Sequence, residues 1–228
     1  MTSEQPQALP YPYNDPPPSA PSDLAIASML LAGGLALVQV VSTVLAFPAA
    51  SAVKESTSQD VFDELGVAFY ALSTLALFPV GLAAYVVTCL WLGKCRKNAE
   101  RFAPDYRQER GAVWVWLGWW VPIVSLWFPY QVVRDVRRAS IQFHGQGSAL
   151  GWWWFCWLVW LFGSRIAGNL FPEEAGDTGA ADALVVVEAV NGIAIVVGLV
   201  LWVRIVREIT RAQAGLVNRD VSKINRWS

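Results

Sequence analysis

The chain has 228 residues, 55% of them hydrophobic and only 15% charged, with 13 tryptophans and a formal net charge of −1. Long apolar stretches almost free of charge exclude a soluble globular protein and indicate an all-α integral membrane protein. The near-zero net charge conceals a segregated distribution, and that distribution carries the topology.

Residues 1–22 hold seven of the 13 prolines and no Lys or Arg. Proline neither continues a helix nor donates to a sheet, so this stretch reads as a disordered cytoplasmic tail. It lacks the basic n-region of a signal peptide, and the apolar run after it is too long for one. Pro18 and Pro21 form a PxxP pattern. The tail is therefore either a solvated tether or a segment that docks a protein partner through its polyproline conformation.

Four spans follow within a membrane domain of residues 23–211. They lie at about 24–47, 65–92 (with Pro79 as a kink), 150–170 and 183–203. Each meets the roughly 20 residues that a helix needs to cross the hydrocarbon core. Within the spans only Arg165 and Glu188 are charged. A fifth apolar stretch, residues 111–130, is interrupted by Pro122 and Pro129 and crowded with Trp114, Trp116, Trp119, Trp120 and Trp127. Indoles favour the headgroup level, and broken backbone at membrane depth requires protein or water to satisfy it.

Cytoplasmic loops retain basic residues. Lys94, Arg96, Lys97, Arg101, Arg107 and Arg110 precede the fifth stretch, Arg134, Arg137 and Arg138 follow it, and residues 212–228 form a basic tail. These groups share one side only if the fifth stretch enters and leaves on that side, as a re-entrant or interfacial segment. The acidic loops around Asp60 and Glu173 then lie outside, and both termini are cytoplasmic. Residues 130–143 read as an amphipathic helix. Val132, Val133, Val136 and Ala139 share one face; Arg134, Arg137 and Arg138 are set on the other as candidate contacts to anionic membrane lipid.

Residues 120–140, WVPIVSLWFPYQVVRDVRRAS, resemble the core motif of a bacterial membrane family catalogued as domain of unknown function 4328. Trp120, Pro122, Trp127, Pro129, Tyr130 and Gln131 carry the resemblance, together with Ile123, Leu126, Asp135 and Arg138. Ser125 stands where that pattern has an amide. The resemblance covers about residues 66–210 and implies a shared fold in the bacterial cytoplasmic membrane; it implies no activity.

Chemistry-bearing motifs are sparse. With one histidine, His144, no HExxH or paired-His metal site exists, and no GxSxG, Walker A or GxGxxG is present. Cys89, Cys95 and Cys156 lack zinc-ligand spacing. The expectation is a protein that is not an enzyme, has no cofactor and binds no nucleic acid. Ser28, Ala32 and Ala36, Gly163 and Ala167, and Ala194 and Gly198 are small residues at four-residue spacing, which lets helices approach closely. Trp153, Trp157 and Trp160 share a helix face, as membrane anchors or as a stacking platform for a ligand. Two functions fit: a scaffold or lipid- and partner-interaction module, or an oligomer that admits small solutes or ions. Arg165 and Glu188 lie at similar depth on adjoining spans, so an intramembrane ion pair between them is expected.

Overall fold

The computed structural model describes residues 19–55, 65–142, 149–170 and 177–224. These form six helices: α1 (Ser22–Glu55), α2 (Leu65–Phe102), α3 (Trp114–Leu117), α4 (Phe128–Ser140), α5 (Ala149–Asn169) and α6 (Thr178–Ile224). A 3₁₀ turn, Val124–Leu126, stands between α3 and α4, and no strand occurs among the described residues. Residues 1–18 of the N-terminal tail, including Pro18, and His144 lie outside the described residues, while Ser22 of that tail already belongs to α1.

The long helices outrun their apolar segments. α1 continues past Phe47 to Glu55 with Pro48 inside it, and α2 continues through the Lys94–Arg101 cluster. α6 carries on from the apolar run well into the basic tail, to Ile224. Backbone hydrogen bonding does not stop at the edge of a hydrophobic run, and α1 and α2 continue even though Pro48 and Gly93 stand at those edges. Three helices, α1, α2 and α6, are long and apolar enough to cross a membrane. α5 also has the length, at 21 residues, and five of them are Trp.

The helices form a row, α2–α1–α6–α5, in which neighbours pack and α2 and α5 do not form a packed pair. Cross-helix bonds set the directions. Ser28 meets Thr88 and Ser42 meets Ser73, so α1 and α2 are antiparallel. Glu188 receives Tyr70, and Asn98 bonds Gln213, so α2 and α6 are parallel. The residues of Lys94–Arg101, α4 and Arg204–Arg211 consequently gather at one end of the bundle, the basic end.

Small residues set the closest approaches, as expected from their spacing. A Cβ on Gly163 of α5 would lie 1.9 Å from Asn191 Oδ1, and one on Gly198 of α6 would meet Cys156 Cβ at 3.4 Å. The pattern in α1 acts through Ser28 and Ala36, both buried. One core cluster lies at the basic end around Trp91, Val133, Trp153 and Ile209, and a second at the opposite end around Ala46, Tyr70 and Leu184.

Candidate functional site: an aromatic cavity beside a buried polar layer

The broken stretch is held by side chains that satisfy its stray carbonyls. Val115 O accepts from Cys89 Sγ at 3.2 Å and from Trp119 Nε1 at 3.1 Å. Trp116 O accepts from Tyr85 OH at 2.9 Å, and Leu126 O from Trp154 Nε1 at 2.9 Å. After Pro122 the chain turns through Ile123 at φ 66°, a left-handed conformation that a β-branched residue seldom adopts. Pro129 then sits in the first turn of α4, where a missing N–H leaves no bond unmade. The Phe128 ring is packed edge-on by Trp114 at 4.6 Å and covered by the Arg110 guanidinium at 4.0 Å.

This stretch closes one end of a cavity of about 540 Å³ bounded by α1, α2, α5 and α6. Such a volume lies within the roughly 300–1,000 Å³ of small-molecule sites. The wall is aromatic: Trp153 stacks on Trp202 at 4.9 Å, Trp157 touches Trp119 at 5.6 Å and Trp160 at 5.0 Å, and Trp120 meets Tyr85 at 5.4 Å. The face of Trp153, Trp157 and Trp160 legible in the sequence thus lines a cavity. Several of its polar groups are spent within the protein. Thr88 bonds Ser28, Thr74 donates to Ala71 O, and Ser164 donates to Trp160 O. Tyr85 and Trp119 are bonded as described above.

Beyond Trp160 lies a polar layer to which all four long helices contribute. Trp160 Nε1 donates to Gln39 Oε1 at 2.8 Å, and Gln39 Nε2 donates to Glu188 Oε2 at 2.7 Å. Tyr70 OH donates to Glu188 Oε1 at 2.9 Å, and Thr43 Oγ1 to the Glu188 carbonyl at 2.9 Å. Glu188 is 3% exposed. Asn191, one turn on and fully buried, has neither polar atom bonded among the described residues.

The expected Arg165–Glu188 ion pair is not formed. Arg165 is exposed on the outer side of α5, while the Glu188 carboxylate turns toward α1 and α2. Similar depth was legible from residue numbers, but helical phase sends the two side chains to different faces. Gln39 and Tyr70 were not singled out. Their signal was nonetheless present: Gln39, Ser42 and Thr43, like Tyr70, Ser73 and Thr74, are polar residues at i, i+3 and i+4 on otherwise apolar helices.

α4 has its predicted place but a different use of its arginines. Arg137, 9% exposed, reaches across to α6 and forms a two-pronged pair with Glu208, at 2.9 and 2.8 Å. Arg134 pairs with Glu109 and with Asp135. Only Arg138 of the three is exposed. The reading of all three as lipid contacts is therefore corrected for Arg134 and Arg137: α4 packs on α2 and α6, so its flanks meet protein. Asp135, 1% exposed, also accepts from Glu109 N at 2.9 Å and Tyr106 OH at 3.3 Å, which fastens the segment before α3 to α4. Burial and the neighbouring Asp135 carboxylate push the Tyr106 phenol above its usual value, so it stays a donor. Its bond to Arg134 holds the Glu109 carboxyl below the usual range.

The remaining motif residues surround this assembly. Trp120 lines the cavity, Pro122 is exposed at the break, Trp127 precedes the first turn of α4, and Tyr130 tilts against Trp154 at 6.4 Å. Gln131 accepts from Arg110 Nε at 2.8 Å. The motif is thus the hinge and anchor of the broken stretch. The family model described as Domain of unknown function (DUF4328) matches residues 55–211. No curated protein and no solved structure matches the chain.

Proposed function

From the premise that the chain belongs to the DUF4328 family, we propose that it is a multi-pass membrane protein that holds a hydrocarbon-bearing ligand in the cavity between α2 and α5. The observation that carries this reading is the aromatic wall, several of whose polar groups are already hydrogen-bonded internally. A polar solute or ion would find few bonds there to replace its water, which counts against permeation through this space. An acyl or isoprenoid chain needs none. In this reading α5 is the fourth span, the basic end is cytoplasmic, and residues 111–130 dip in from that side without crossing. Because α2 and α5 leave a gap, the ligand enters sideways from lipid. Arg165 lies about one turn from the end of α5, so its guanidinium snorkels to the outer headgroups. No catalytic step is assigned.

The test is saturable quenching of tryptophan fluorescence by an uncharged spin-labelled fatty-acid methyl ester added to the purified full chain in micelles. Ala194, a small lining residue of α6, gives the control: Ala194→Phe fills the cavity and abolishes the saturable part. Quenching that is unsaturable, or unchanged in Ala194→Phe, overturns the reading.

A further inference from the structure

We propose, resting on that cavity as a ligand site, that it selects lipophilic cations, with the Glu188 carboxylate behind the Trp160 wall as the source of selectivity. Tyr70 OH and Gln39 Nε2 each lie within hydrogen-bond distance of one Glu188 oxygen, an arrangement that accommodates an ionised carboxylate. No ion pair to it is formed among the described residues: Arg165 faces outward, and Lys54 is held by Asp182. A carboxylate in a low-dielectric bundle keeps most of its field, because neither water nor a counter-ion screens it. That field reaches the cavity through a short chain, Glu188 to Gln39 at 2.7 Å and Gln39 to Trp160 at 2.8 Å. The cavity wall acts in the same sense. Indole faces carry the negative pole of their quadrupole, so a wall built of Trp153, Trp157 and Trp160 favours a positive charge that has shed its water wherever it presents a ring face. An anion meets these same faces and the same carboxylate with the sign reversed. A strongly hydrated inorganic cation fits poorly, since few free oxygens replace its water. The class that satisfies every wall is an apolar molecule bearing one diffuse positive charge, such as a quaternary ammonium or phosphonium.

Two ions of nearly equal size and opposite charge provide the test: tetraphenylphosphonium and tetraphenylborate. Binding of each to the purified full chain in micelles is measured by equilibrium dialysis, with protein-free micelles subtracted and uncharged pyrene as a third probe. The cation is expected to bind about tenfold tighter than the anion. Glu188→Gln, which retains an acceptor for Tyr70, should remove most of that preference. Equal binding of the two ions to the wild type overturns the proposal, as does a preference that survives in a folded Glu188→Gln. If Glu188→Gln does not fold, the wild-type comparison decides alone. Pyrene binding without cation preference sinks only this inference; absence of saturable pyrene binding sinks the cavity reading beneath it.

Discussion

Glu188 and Gly163 show how single positions are committed by their neighbours. Removing the Glu188 side chain takes away the acceptor of Gln39 Nε2 and the bond from Tyr70 OH, and an unmet buried donor costs about 1–3 kcal/mol. Glu188→Ala should therefore lower thermal stability in detergent sharply, while Arg165→Ala, on an exposed residue, should shift it by no more than about 0.5 kcal/mol. A charge swap of the two residues should not restore what Glu188→Arg loses; recovery in the double variant would reinstate the ion pair. At Gly163 the added methyl would sit 1.9 Å from Asn191 Oδ1. Gly163→Ala should destabilise by about 1–3 kcal/mol, and Asn191→Ala in the same chain should recover much of it, because the obstructing amide is gone. Additive losses, read as melting temperatures of the four chains, would mean that the helices separate instead.

At the scale of the element, α4 acts as a clasp. Its apolar side is buried against α2 and α6, Arg137 is locked to Glu208, and Asp135 fastens the segment carrying Tyr106 and Glu109. Asp135→Ala removes that acceptor and leaves Arg134 with Glu109 alone. Limited trypsin digestion should then cut after Arg107 and Arg110 several-fold faster than in the wild type, with little change elsewhere. An unchanged cleavage pattern would show that the segment is held by the Trp114–Phe128–Arg110 stack and not by Asp135. The amphipathic pattern was sufficient to find α4, since it repeats every three to four residues. It could not find the Arg137 partner, which lies 71 residues away in sequence.

For the whole molecule, the antiparallel pairing of α1 with α2 and of α5 with α6 brings the arginines and lysines of three separate segments to one end. If that end is cytoplasmic, a cysteine placed at Thr57 or Gly176 should react with an impermeant thiol reagent from outside, and one at Gln146 should not. The native cysteines make a quiet background, because Cys89, Cys95 and Cys156 are all buried. External labelling at position 146 would mean that residues 111–130 cross the bilayer, and the four-span topology would fall.

Helix class, the three helices long and apolar enough to cross a membrane (out of four spans expected), the family and the broken stretch were legible in the sequence, because each depends on local quantities: run length, proline position and the order of a short motif. The polarity of the ends was legible too, since charge segregation is a one-dimensional pattern. The Glu188 environment was not, for depth along a helix can be counted from residue numbers, whereas the azimuth of a side chain depends on how its helix is turned against its neighbours. The cavity was equally hidden. Tryptophans at helical spacing would look the same facing lipid or lining a space, and only the packing of α1 and α6 between α2 and α5 decided that they enclose one.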